Sequence, residues 1–433
     1  MTSLNFKLYT LNCAIVIVLT IAMVGCKPEP ETNNSRSRDE VQDSVLLNTV
    51  QRASMDYMWN GADPVSGLAY ERIHLDNNYG YNDPKVITTG GSGFGIAGLV
   101  VAMERGFITR ENGVERLQRI VDFLARAERF HGVWPHWLKA DGKVVPFSAN
   151  DNGGDLVESS FLMEGLLIAR QYMNPAVSEE KAVIDAINQL YQTMEFDWYR
   201  NNQNCLYWHW SPDKGWVMNM PIRGWNEALI VYVLAAASPT HTIPKEVYDQ
   251  GWGVNNKPMD AFNQPLFWTH YSFIGLNPMT LKDQYATYKD VVIGHAMAQY
   301  DYCVRNPKGY AGYGSQCWGL TAGYSPSGYS AHSIHNDLGV ITPTAALSSM
   351  PYTPVQSMAA LRYFDSRKAQ LWGDYGFYDG FSDSKNWCPP HYLAIDQLTI
   401  APMIENYRSG LLWKLFMSCP EIQTGLTKLG FTY

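Results

Sequence analysis

In the segment SANDNGGDLVESSF, Asp151 is followed by Asp155 four residues on and by Glu158 three further on. Clustered carboxyls suit acid–base hydrolysis, in which one protonated group gives its proton to a leaving oxygen and one ionised group takes a proton from water. Gly153-Gly154 breaks the chain just ahead of an apolar run, which predicts Asp155 at a helix N-cap and Glu158 at the third position inside it. D-x-x-E in that place is also a capping box, so catalytic and capping roles both stay open for Asp155 and Glu158. Asp151 has no place in a cap. Glu164, two turns along, reads as a buried hydrogen-bonded group or a rim residue.

A second acid, Glu227 in RGWNEALIVYVL, is expected in the first turn of a helix whose remaining residues carry no charge. The helix dipole would lower its pKa, whereas apolar surroundings and the neighbouring Trp225 would raise it, and a general acid needs the second effect to win. Asp396 in YLAIDQLTI stands at the start of the last apolar helix, with capping as its other role. Trp134, His136 and Trp137 in GVWPHWL, together with Trp208, Trp225 and Asn226, offer flat apolar faces and polar edges suited to sugar rings, and as aromatics they would serve equally as core.

His332, His335 and Asp337 read as a hydrogen-bonded loop, and no Cys/His ligand spacing occurs, so neither a metal nor a cofactor is expected. The G-x-S-x-G of serine hydrolases is missing. GGSGFGIAG (90–98) follows no strand and precedes no suitably spaced acid; its glycines predict close helix packing beside a ligand instead of a nucleotide site.

Two kinds of helix would position these groups. One kind is amphipathic, at 45–59, 113–130, 181–199, 281–304 and 354–364, with stripes such as Ile120, Phe123 and Leu124. The other is rich in Gly, Ala and Ser and apolar nearly all round, at 92–106, 155–173, 226–237, 267–276, 342–350 and 394–414. A helix without a polar face is covered on every side. The alternation predicts an all-α fold, an (α/α)6 toroid with an inner ring of helices inside an outer one; an irregular bundle or a solenoid is the alternative, but no repeat period is visible. Alternating aromatics around Ser-Pro-Asp-Lys-Gly at 205–220 predict a small inserted β-hairpin. In such a toroid the loops entering the inner helices converge, so acids at those helix starts would share one cavity.

With 46% hydrophobic and 17% charged residues the chain has the composition of a folded protein. Its 33 Lys+Arg against 41 Asp+Glu include no basic block, which argues against a nucleic-acid partner. Lys7, the apolar run Leu11 to Val24 and Gly25-Cys26 read as a lipoprotein signal peptide over 1–25 with lipid attachment at Cys26, although Met23 replaces the usual Leu of the lipobox. Residues 26–41 are polar and Pro-containing and predict a flexible tether, leaving 42–433 as one domain of an exported lipoprotein, periplasmic or at the outer membrane or cell surface. Cysteine spacing predicts no disulfide pattern, and oligomeric state is not legible.

The segments GVWPHW, SANDNGGDLVESSFLMEGLLIARQY, RGWNEALIVYVLAAASPTH, SIHNDLGVITPTAAL and AIDQLTIAPMIENYRSGLLW resemble the bacterial glycoamylase-like proteins, most of all glycoside hydrolase family 144, the β-1,2-glucanases. The likeness spans roughly residues 45 to 433. It implies an (α/α)6 barrel, hydrolysis of β-1,2-glucan or its oligosaccharides with anomeric inversion, and Asp151, Asp155, Glu158 and Glu227 as the essential acids, with Glu227 as proton donor. Asp396 stays open as the base. Two other readings compete: a glycan-binding surface lipoprotein that does not cut, and a glucanase or lyase of other specificity on the same barrel. A binder would not need several acids at helix starts, and a lyase would want clustered Arg, Lys and Tyr.

Overall fold

Fifteen consecutive residues, Thr89 to Met103, are buried along the helix Thr89–Glu104, as are Leu156 to Arg170 in Leu156–Tyr172 and every residue of Leu229–Ala237. Such helices have no face to give to water, and in the computed structural model, which describes residues 38–255 and 257–433, they line the middle of the molecule. Thr89–Glu104 packs against Leu156–Tyr172 on one side and Ala394–Arg408 on the other; Leu156–Tyr172 then meets Leu229–Ala237, and Ala394–Arg408 meets Pro343–Ser348. The remaining place in the ring is filled by two 3₁₀ turns, Leu266–Thr269 and Tyr271–Phe273. Ser272 Oγ accepts from Ile230 N–H at 3.0 Å, and His270 Nε2 meets Ser349 Oγ at 2.9 Å, which closes the ring. The helix expected at 267–276 is therefore 3₁₀, because the segment between Pro265 and Gly275 is short and rich in aromatic and β-branched residues of low helix propensity.

The amphipathic helices form the outer layer: Arg38–Trp59, Arg110–Arg126, Ser178–Gln192, Tyr288–Arg305 and Pro354–Ser366. In Arg110–Arg126 the buried residues include the expected Ile120, Phe123 and Leu124. The chain's last helix, Pro420–Leu429, covers Leu229–Ala237. The fourth outer helix starts at Tyr288 and not near 281, since Asp283 Oδ1 accepts from Tyr285 N–H and Ala286 N–H and holds a turn there. Residues 43–433 form one compact unit. The signal segment, Cys26 and most of the tether lie outside the described residues, and Arg38 to Val41, assigned to the tether by sequence, already belong to the first helix. Among the described residues no helix is long and apolar enough to cross a membrane.

Three inner helices are entered through short antiparallel ladders. Ile87–Thr88 pairs with Trp137–Leu138 ahead of Thr89, Gly154–Asp155 pairs with His209–Trp210 ahead of Leu156, and Arg72–His74 pairs with His391–Leu393 ahead of Ala394. The segment 205–220 does fold back on itself, through isolated bridges Tyr207–Pro221 and Ser211–Gly215, but its strand His209–Trp210 pairs with the acid-bearing strand. A four-residue hairpin, Ala322–Ser325 with Gly328–Ala331, lies elsewhere.

Candidate active site

The ladders surround a cavity of about 400 Å³ whose walls include Glu158, Glu227, His136, Trp137 and Trp208. Each charged residue on or behind the wall has a distinct support. Asp155 is the N-cap, its Oδ1 accepting from Val157 N–H at 3.0 Å and Glu158 N–H at 2.9 Å. Its Oδ2 meets His136 Nδ1 at 2.8 Å and accepts from Trp208 Nε1–H at 3.1 Å. Asp155 is fully buried and does not line the cavity, so it positions the imidazole and indole that do.

Glu158 does not complete the capping box, because Asp155 N–H donates to Trp134 O instead. Its Oε2 accepts from Gly90 N–H at 2.8 Å, at the start of the neighbouring inner helix, where any Cβ on residue 90 would overlap the carboxylate. Burial raises Glu158 to about 7 against the pull of His136 and the Gly90 N–H. Burial opposes a charged imidazole at His136, yet Glu158, Asp155 and Asp151 outweigh it and hold that residue up at about 9. Asp151 is buried, and burial with the nearby Asp155 raises it to about 7. Its Oδ1 has no hydrogen-bond donor among the described residues; it lies 3.4 Å from His209 Nε2, a nitrogen that already accepts from Gly153 N–H at 3.0 Å.

Glu227 sits in a turn just before Leu229, not in the helix's first turn as expected. Asn226 Oδ1 accepts from Ala228 N–H at 2.9 Å, and that Asx turn delays the helix. Ser272 Oγ–H donates to the Glu227 carbonyl. Among the described residues no cation offsets the burial of the Glu227 carboxyl; burial, followed by its own backbone N–H acting the other way and by Glu158 and Asp155, leaves it at about 7. The Glu227 side chain thus differs from Glu158, whose charged form has a helix N-terminus and an imidazolium to support it.

Asp396 is buried behind this wall. Burial and Asp379, to which it is hydrogen-bonded, push it well above the carboxylate range, while Asp379 rises to about 6 through burial and accepts from Tyr324 N–H at 2.6 Å. Two of the predicted ring-binding residues lie elsewhere: Trp134 is fully buried, donating to Leu124 O at 3.1 Å under Arg129, and Trp225 is packed among Trp252, Phe273 and Tyr288. Asn226 serves the turn and does not line the cavity. His136, Trp137 and Trp208 do line it.

The sequence reading missed the opposite wall. Glu71 and Arg72 are ion-paired, Arg72 donates to Tyr324 Oη at 3.3 Å, and Phe267, Tyr271, Tyr324 and Tyr329 complete the enclosure. His74 orients Tyr324: its Nδ1 faces Asn78 O at 2.6 Å, leaving Nε2 to accept from the Tyr324 hydroxyl at 2.8 Å. Adjacent opposite charges in the apolar LAYERIH and paired tyrosines around YSPSGY were the available signals. His136, Asp151 and Asp155 could offer atoms within 4.8 Å of one another to a metal ion, and His136 Nδ1 faces Asp155 Oδ2 at 2.8 Å. His332 meets Tyr324 O and Asp337 accepts from Tyr302 and Tyr313, so that loop is the hydrogen-bonded structure its sequence suggested.

A family model named Glycoamylase, described as "Putative glucoamylase", matches residues 219–420. The crystallised endo-β-1,2-glucanase of Chitinophaga pinensis, in complex with sophorotriose and glucose, is 52% identical, superposes with a TM-score of 0.87, and the match covers 90% of this chain and 99% of that one. The chain belongs to the glycoamylase-like family. A structure from Bacteroides caccae with the same description as the family model is 51% identical over 90% of this chain and all of its own, with a TM-score of 0.88. The exo-β-1,2-glucooligosaccharide sophorohydrolase (non-reducing end) of Parabacteroides distasonis is 43% identical over 89% of this chain, which spans 58% of that relative's length. The double ring of helices expected from the alternation is thus the architecture this chain shares with these structures.

Proposed function

We propose that this chain is a glycoside hydrolase that cleaves β-1,2-glucosidic bonds with inversion. Relatives named for β-1,2-glucan hydrolysis support the linkage. The observation that carries the mechanism is the contrast between two carboxyls on one cavity. Glu227, without a cation, is the group that holds a proton for the glycosidic oxygen; Glu158, with Gly90 N–H and His136 beside it, is the group that can take one from water. Inversion needs the two about 6.5 to 9.5 Å apart so that a water fits between base and anomeric carbon. Trp137, Trp208 and Phe267 give the sugar rings apolar faces, and Arg72 and Tyr324 give their hydroxyls partners.

Incubation with β-1,2-glucan, sophoro-oligosaccharides and α-glucans, with chromatography of the products, tests the linkage: cleavage of the first two alone is expected. Proton NMR of fresh reducing ends should show the α anomer first; a β anomer first means double displacement and removes the assignment of Glu158 to water activation.

The leader supports a further reading, an exported lipoprotein acylated at Cys26 and held at the periplasmic or outer face of a membrane by its tether. Cys26→Ser should move the protein from the membrane to the soluble fraction with activity unchanged, and retention of the variant in membranes rejects the anchor.

A further inference from the structure

A second pocket, of about 250 Å³, shares no lining residue with the active-site cavity. At its centre is Trp198, 41% exposed although it is one of the largest apolar side chains in the protein. One face of its indole is covered: the His131 imidazole stacks on it with centroids 3.8 Å apart and planes 14° from parallel. That ring is held from behind by Glu195, whose Oε2 meets His131 Nδ1 at 2.7 Å. Trp210 meets the indole edge-on at 5.7 Å, so the ring cannot turn without displacing two aromatic neighbours. The exposure of Trp198 is therefore that of a fixed ring with its other side open.

Polar groups surround the indole. Asn201 and Asn202 both adopt left-handed backbone, with φ of 48° and 57°, and their side-chain amides make no hydrogen bond among the described residues. Asp197 is tied by one oxygen to His241 Nδ1 at 3.0 Å and to Trp198 N–H at 3.1 Å. Trp216, braced edge-on against Tyr199 and Tyr207, forms the far side. An immobilised indole face beside two amides and carboxylates is the chemistry that recognises a pyranose ring: the ring's C–H face lies on the aromatic plane, and vicinal hydroxyls donate to carboxylates and pair with amides. A β-1,2-linked glucosyl unit keeps its 3- and 4-hydroxyls free for this. The pocket is also tied to the active site through the chain, because Trp208 lines the catalytic cavity and Trp210, two residues on, abuts Trp198.

We propose that the Trp198–Trp216 pocket is a second saccharide-binding site, outside the catalytic cavity, that holds a distant part of a long β-1,2-glucan chain. The ligand class rests on the proposed function; the site itself does not use the catalytic acids. The test is affinity electrophoresis of the intact protein in gels with and without long β-1,2-glucan, alongside Trp198→Ala and Asn201→Gly/Asn202→Gly, the glycines preserving the left-handed backbone while removing the amides. Wild type should be retarded, and both variants should bind the polymer about three- to tenfold more weakly, the worth of one aromatic stacking contact for Trp198→Ala and of about one hydrogen bond for the glycine variant, while their turnover of sophorotriose stays within about twofold of wild type, as for surface changes remote from the chemistry. Retardation of both variants equal to wild type, or no retardation of wild type at all, overturns the second site. Wild-type retardation without any hydrolysis of glucan or sophorotriose would instead count against the proposed activity and leave the second site supported, so the two readings fail separately.

Discussion

Beside the Leu156–Tyr172 helix, buried Asp155 meets three N–H donors and the His136 imidazole, whereas beside the Ala394–Arg408 helix, buried Asp396 meets another carboxyl and, among the described residues, no cation. The first arrangement compensates negative charge with positive charge held in place by backbone and side-chain donors. The second compensates it by keeping a proton. Only the first leaves carboxyls whose protonation sits near neutrality on an open wall, Glu158 and Glu227 at about 7, and so only the first can exchange protons with a substrate during turnover. The Asp379–Asp396 pair, sharing one proton, backs Tyr271 and Tyr324.

The largest expected effect strikes the first region. Glu227→Gln preserves shape and hydrogen bonding and should lower kcat on β-1,2-glucan by about 10² to 10⁴-fold with an unchanged Tm; near-normal turnover would mean that a carboxyl without a cation is here only buried, like Asp396. Asp155→Asn comes next. Asn caps a helix about as well as Asp, so the helix should survive while His136 loses its nearest negative partner and its pKa falls by about 1 to 3 units, read from imidazole proton shifts, with turnover falling alongside.

Stability against pH gives a third comparison. The folded-state pKa of His136 is about 9 against 6.5 in the unfolded chain, so its contribution is complete below pH 6.5 and is lost as pH rises through 9. Chemical denaturation across that window should show a decline on the order of 3 kcal/mol, absent in His136→Gln; an equal decline in the variant would assign it to another group. The smallest effect is expected for Asp396→Asn, which replaces a neutral carboxyl by a neutral amide and should shift unfolding by about 1 kcal/mol or less. A loss several times larger would show that Asp396 carries charge and that the two regions are alike.

The alternation of all-apolar and striped helices carried the double ring into view from sequence, because burial on every side leaves helices without a polar stripe, here too short to span a membrane. The clustering of Asp151, Asp155 and Glu158 was legible for the same local reason: glycines, cap and acids lie within eight residues. What stayed hidden depended on contacts between distant segments. Trp134 and Trp137 are three residues apart and chemically identical, yet one is sealed under Arg129 and the other faces the cavity. Glu71, Arg72 and Tyr324 lie in short strands or beside them, where no helical period marks a face. Glu227 was found but misplaced by one turn, because Asn226 competes with the helix for Ala228 N–H.

Gly93 and Gly165 mark where two inner helices touch backbone to backbone: a Cβ on Gly93 would overlap Phe161 O, and one on Gly165 would overlap Gly93 O. Because the obstructing atoms are carbonyls, no rotamer change in a neighbour can admit even a methyl group. Over sequence drift this makes the two positions a ratchet. Either can become alanine only if the helices move apart, and that shift would drag Gly90 away from the Glu158 it faces one turn earlier. A lineage that widened the barrel here would therefore have to rebuild the Gly90–Glu158 contact in the same step, so the spacing of these two helices can be inherited or replaced wholesale but not adjusted by degrees.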